Sequence, residues 1–188
     1  MGLYATVVTT LGIWALAAIV LGLGLGAGLA LRRGRRLVVR ALVGRERHPI
    51  GWAWVVAVIA TAGSLYLSDI AHLAPCELCW YQRTAMYPLV FVLGVGLIGR
   101  DPGVWRFTLP LSVVGLLVAA YHVTIQWQPT LDIEMCAEGV PCTARYVAVF
   151  GFVSIPAMAG AAFLLITAVM FLLWALEREG ATEYGPEA

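Results

Sequence analysis

Five apolar stretches dominate this chain of 188 residues, each long enough to cross about 30 Å of hydrocarbon at about 1.5 Å of helical rise per residue. They run over Tyr4–Leu31, Ile50–Ile70, Cys79–Ile98, Phe107–Ile125 and Val147–Leu176. No sheet-like alternation or soluble domain interrupts them, so each reads as a transmembrane helix. A mean hydropathy of +0.87 and a charged share of only 12% agree with an integral membrane protein. The connections are short, which makes neighbouring helices antiparallel. The first stretch lacks a basic leader, is too long for a secretory signal and meets its arginines after the apolar run, so it reads as a retained helix.

Charge fixes the expected orientation. Arg32, Arg33, Arg35, Arg36, Arg40, Arg45 and Arg47 crowd the first connection, and such a density marks a cytoplasmic loop. Met1, the turn bearing Cys76 and Cys79, and the loop from Gln126 to Tyr146 then face the other side. The Arg100–Arg106 loop and the acidic tail from Glu177 face the cytoplasm. The arginine cluster reads as an anchor against anionic headgroups, not a nucleic-acid site, with Leu37–Val43 along the membrane surface. Gly22, Gly24, Gly26 and Gly28 are expected to permit close helix packing.

All four cysteines fall on the non-cytoplasmic side, where disulfides persist. In Pro75-Cys76-Glu77-Leu78-Cys79-Trp80-Tyr81-Gln82-Arg83, one helical turn separates two sulfurs at a helix start. Unpaired backbone N–H groups and the positive end of the macrodipole favour thiolate there, which is the species that attacks disulfides and electrophilic rings. Pro75 suits the boundary, since it lacks the N–H that a helix interior needs.

Cys136 and Cys142 lie in a tight loop shaped by Gly139 and Pro141. A structural staple accounts for this pair taken alone. Exchange with the reactive first pair, across a shared compartment, is the alternative. A four-cysteine zinc site is disfavoured because the second spacing supplies no matching knuckle, so no metal is expected.

Arg83 follows Cys79 by one turn and lies deeper on the same face. A cation there needs compensation, either by snorkelling to headgroups or by hydrogen bonding a lipid-soluble oxidant as it gains electrons. The second reading is favoured. His122 and Gln126, one turn apart at the outer end of the fourth stretch, are either packed interfacial residues or hydrogen-bonding groups towards the same ligand. Trp80, Tyr81, Trp127 and Tyr146 read as interface aromatics, and Pro156 as a bend in the last helix.

Together, the Pro75–Arg83 string, Tyr87-Pro88, Tyr121-His122, the Cys136/Cys142 loop and Gly151-Phe152-Val153-Ser154-Ile155-Pro156 resemble the DsbB/BdbC family of quinone-coupled, disulfide-generating membrane proteins. The resemblance runs from about Trp52 to Trp174. It implies an all-α four-helix bundle over 50–176, to which this chain adds an N-terminal transmembrane helix (1–31), a basic cytoplasmic loop (32–49) and an acidic cytoplasmic tail (177–188). It also implies a quinone, ubiquinone or menaquinone, beside Cys79 and Arg83, with His122 and Gln126 near it. The implied partner is a DsbA/BdbD-like thioredoxin-fold thiol oxidase.

In the implied relay, the reduced partner attacks Cys136 and the Cys136–Cys142 bridge is reduced. Electrons pass to Cys76–Cys79 through a transient Cys76–Cys142 bridge, and Cys79 reduces the quinone. The loop between Cys136 and Cys142 is shorter than in the enterobacterial type and closer to BdbC. In vitamin K epoxide reductase-like proteins the reactive Cys-x-x-Cys comes after the loop cysteines, whereas here it comes first. The expectation is a bacterial inner-membrane thiol oxidase; the competing class is a non-catalytic assembly factor whose two bridges only hold its outer loops.

Overall fold

The computed structural model describes residues 2–31, 34–35, 38, 47–132 and 140–183, with the side chains of 47 and 179–183 excepted. Five long helices follow one another: α1 (Gly2–Ala30), α2 (Arg47–Leu65), α3 (Glu77–Gly99), α4 (Trp105–Trp127) and α5 (Ile155–Glu183). A π-helical turn, Tyr66–Ile70, extends α2, and short 3-10 turns at Pro102–Val104 and Pro129–Leu131 flank α4. Among the described residues the sole extended pairing is an isolated bridge between Val149 and Val153.

All five helices are long and apolar enough to span a membrane. Their outward faces are apolar as well: Phe91 is 74% and Ile98 84% exposed. Such surfaces match hydrocarbon rather than water. α5 is the central helix, with 67% of its apolar stretch buried against 22–33% in the other four. Its Phe163, Ile166, Met170 and Leu173 pack with Leu89 and Leu93 of α3 and with Ala53 and Ala57 of α2. Gly115 in α4 makes this possible, because a Cβ there would overlap the Phe163 ring. The Trp54 indole donates to the Val90 carbonyl at 3.1 Å and ties α2 to α3.

The structure corrects three local expectations. The last helix begins at Ile155 rather than Val147, because Val149 and Val153 close a tight turn through Phe150 (φ 54°) and Gly151 (φ 82°). Pro156 therefore occupies the first turn of α5, where its missing N–H is not needed, and starts the helix instead of bending it. Of the four glycines expected at a helix interface, only Gly22 makes close contact: its Cβ would lie 3.1 Å from Leu164 Cγ, whereas Gly24 and Gly26 face open space and Gly28 meets only Val38 at 3.9 Å. At Gly26 a cavity of about 260 Å³ separates α1 from α5.

Arg106 pairs with Glu177 at the end of the bundle opposite the cysteines. Most of the arginine cluster (Arg32, Arg33, Arg36, Arg40 and Arg45), the Leu37–Val43 segment apart from Val38, and the end of the acidic tail lie outside the described residues.

Candidate functional site: a dithiol at the wall of an intramembrane cavity

Leu73, Ala74 and Pro75 deliver the chain to Cys76, which takes extended dihedrals (φ −77°, ψ 174°) as the N-cap of α3. Its carbonyl accepts the Trp80 N–H at 3.2 Å. One turn of helix then brings the Cys79 Sγ to 2.9 Å from the Cys76 Sγ, both as free thiols.

The His122 ring from α4, only 1% exposed, organises this end of the bundle. Its Nε2 lies 3.0 Å from the Cys142 carbonyl and 3.7 Å from the Cys76 Sγ. Its Nδ1 lies 3.0 Å from the Gln82 Nε2. A carbonyl can only accept, so Nε2 carries the proton; a neutral imidazole then offers Nδ1 as the acceptor for the Gln82 amide. The two contacts define one tautomer, and its N–H points between Cys142 and Cys76. Cys142 is disulfide-bonded and packs in one cluster with Cys76, Leu78 and Ile125.

Cys76 sits just outside the membrane-spanning part of α3. The adjacent Cys79 thiol, assisted by His122 and opposed by burial, holds the Cys76 thiol down to about 4 from its ordinary 9.0. The helix N-terminus, with its unpaired N–H groups, favours the same anion.

Below the dithiol lies a largely apolar cavity of about 250 Å³, whose walls include Cys79, Arg83, Tyr87, His122 and Gln126. The Arg83 guanidinium donates through Nε to the Ser64 Oγ at 3.0 Å and through Nη2 to the Ser64 carbonyl at 3.1 Å. It also lies over the Trp80 ring, 5.2 Å from its centroid. Its charge is thus compensated within the protein, and these bonds use two of its five N–H donors. The Gln126 amide donates to the Ala144 carbonyl at 3.2 Å. Its Oε1 is buried without a partner, as is the Tyr87 hydroxyl.

Cys76, Cys79, Arg83, His122, Gln126 and Cys142 therefore converge at one end of the bundle. Cys136 lies outside the described residues. Three contributors escaped the sequence reading: Gln82, Ser64 and the Tyr87 hydroxyl. For Gln82 a signal existed, since Cys79, Gln82, Arg83 and Met86 stand at i, i+3, i+4 and i+7 and all line the cavity. Ser64 left none, because it reaches Arg83 from a different helix.

Comparison with known proteins gives this geometry a context. The family described as "Disulfide bond formation protein DsbB" matches residues 46–174. The chain is 46% identical over 122 residues to Disulfide bond formation protein C of Bacillus subtilis, covering 64% of this chain and 88% of the relative. It is 41% identical over 127 residues to Probable disulfide formation protein C 2 of Bacillus cereus, covering 68% of this chain and 91% of the relative. It is 47% identical over 126 residues to the Probable disulfide formation protein of Oceanobacillus iheyensis, covering 64% and 84%. No solved structure matches the chain. With its five membrane-spanning helices, one of them ahead of the matched region, the chain is a multi-pass membrane protein of the DsbB family of disulfide bond formation proteins.

Proposed function

We propose that the chain is a dithiol:quinone oxidoreductase, which reoxidises a thioredoxin-fold disulfide donor on the non-cytoplasmic side of the bacterial inner membrane and delivers the electrons to a membrane quinone, ubiquinone or menaquinone. The observation that carries this reading is the Cys76–Cys79 dithiol at the wall of an apolar intramembrane cavity that also holds Arg83. A structural staple needs no such cavity beside it.

The cavity's polar groups suit a quinone. Carbonyl oxygens need donors, and the remaining Arg83 N–H groups and the unpartnered Tyr87 O–H are donors. Gln126 plays a different part: one of its two N–H donors is committed to Ala144, and its unpartnered Oε1 is an acceptor for a donor such as a hydroxyl. When bound, a quinone supplies an acceptor for two electrons and two protons. Cys79 presents its sulfur to the cavity, and Arg83 stabilises negative charge beside it.

The outer half of the relay is thiol–disulfide exchange. A partner thiolate attacks Cys136, the Cys136–Cys142 bond breaks and Cys142 leaves as thiolate; the partner's second thiol resolves the mixed disulfide. Cys142 then attacks Cys76 of the oxidised inner pair, and Cys79 leaves as thiolate. Attack by Cys136 on Cys142 releases Cys76 and restores the outer bridge, so two electrons have moved inward. The His122 Nε2–H keeps the Cys142 backbone beside Cys76 and donates towards the Cys76 sulfur.

Anaerobic mixing of the purified protein with a reduced thioredoxin-fold oxidase and a quinone, followed by quinone absorbance, tests the reading. Reduction dependent on Cys79 and Cys142 is expected, and no reduction with several such partners ends it. The proposed orientation places Arg40 inside and residues near Met1 outside; strong external labelling of a cysteine probe at position 40 in intact cells would refute that orientation.

A further inference from the structure

The N-terminal helix precedes the family match, yet it lines the cavity. Leu11, Trp14, Ala15, Ala18 and Leu21 of α1 share that space with Cys79 and Arg83. The helix is closely fitted there: a Cβ on Gly12 would stand 2.8 Å from Val149 Cγ1, one on Gly22 would stand 3.3 Å from the Leu165 backbone, and one on Gly63 of α2 would stand 3.1 Å from the Leu11 methyls. α1 is thus seated against α5, the turn before it, and α2. Ala15 and Ala18 are buried and small, which leaves room beside them, while Trp14 is 55% exposed and sits at the boundary with hydrocarbon.

Leu11 and Leu21 are ten residues apart, which corresponds to about 15 Å along a helix. The polar groups that suit a quinone ring, Arg83, Tyr87 and Gln126, come from α3 and α4. The α1 wall offers only apolar side chains, so it suits the hydrocarbon part of a ligand whose ring lies by Cys79.

Building on the proposed quinone reaction, we propose that α1 is the outer wall of the quinone site and that its Trp14–Leu21 face holds the isoprenoid tail. Helix α1 thereby sets affinity for tailed quinones and leaves ring recognition to α3 and α4.

Binding to the full-length protein in nanodiscs of fixed lipid composition, read by quenching of tryptophan fluorescence, tests this with two probes: an isoprenoid-tailed quinone and its tail-free analogue. Ala18→Phe fills the space, and Leu21→Ala removes wall surface at a 60% exposed position that bears little packing. Both variants are expected to weaken the tailed quinone about tenfold, a difference of about 1.4 kcal/mol, and to bind the tail-free analogue as the wild type does. Unchanged tailed-quinone binding in both variants overturns the proposal, as does equal weakening of both probes. If the wild type binds neither probe, the quinone reading itself fails, and the tail assignment falls with it.

Discussion

Gln82 and His122 meet across 3.0 Å in the interior of the bundle, and the direction of that bond determines which imidazole nitrogen faces the cysteines. With the Gln82 N–H donated to Nδ1, the proton resides on Nε2, 3.0 Å from the Cys142 carbonyl and 3.7 Å from the Cys76 sulfur. Gln82 thus orients the ring whose Nε2 lies beside both the Cys142 carbonyl and the Cys76 sulfur.

The pH behaviour of Cys76 follows from this arrangement. Lowered to about 4, first by the Cys79 thiol and then by His122, Cys76 is thiolate throughout the neutral range, so its alkylation rate should be flat from about pH 5.5 to about pH 8. Cys79→Ala should raise the pKa most. His122→Leu and Gln82→Leu should raise it less, slowing alkylation at about pH 6 in proportion to the thiolate lost, roughly tenfold where a tenth of the thiol stays ionised, and restoring it as pH rises. Gln82→Glu should not restore the rate of a neutral ring, because a carboxylate can only accept and so draws the proton to Nδ1, leaving Nε2 without an N–H towards Cys76. Peptide mapping of the alkylated site gives the rates; a wild-type profile for Gln82→Leu would remove Gln82 from this role.

Arg83 and Ser64 make a graded pair. Arg83→Ala should raise the KM for quinone while both disulfides still form, since its free donors face the cavity and not a sulfur. Arg83→Lys should recover little, because a point charge cannot reproduce the fork that engages both Ser64 oxygens. Ser64→Ala removes one of the two anchors and should raise KM by less than Arg83→Ala does, at most the roughly 10- to 100-fold that one hydrogen bond to a charged group can contribute. Steady-state quinone titrations separate these cases, and an unchanged KM in Arg83→Ala would leave the residue a purely structural role.

At the centre of the bundle, Gly115 receives the Phe163 ring. Gly115→Val should lower stability by about 1–3 kcal/mol through overpacking, with a smaller loss in Gly115→Ala. Adding Phe163→Leu should recover part of it by making room. Thermal unfolding in detergent reports the order; equal stability of Gly115→Val and wild type would show that the helices separate at little cost.

What the sequence disclosed and what it hid follow physical lines. The number of spans was legible because hydrocarbon thickness fixes helix length, and the cysteine turn because Cys76 and Cys79 are one turn apart. Helix ends were less so: the Val147–Ser154 run is as apolar as a helix, and only the positive φ at Phe150 and Gly151 makes it a turn. Contacts between helices were invisible. Nothing along the chain links Ser64 to Arg83, and the glycine series in α1 marks a close approach at Gly22 without revealing that a cavity opens at Gly26. Gln126 was legible as a polar group at the outer end of the fourth stretch, but the bond from one of its N–H groups to the Ala144 carbonyl was not.

Partner access gives the last prediction. Cys142 is fully buried in the cluster with Cys76, Leu78 and Ile125, and its carbonyl is held by His122, so a folded partner cannot reach its sulfur. The partner's thiolate is therefore expected to attack Cys136, flanked by Met135 and the small Ala137, and to release Cys142 next to Cys76. With Cys142→Ser, and a partner lacking its own resolving cysteine, a mixed disulfide through Cys136 should accumulate under oxidising conditions, because no thiol remains beside it to displace the partner. Mass spectrometry of the non-reduced adduct locates the bond. A crosslink at Cys79, or one that forms equally well when Cys136 is also replaced by Ser, would reverse the order of the relay.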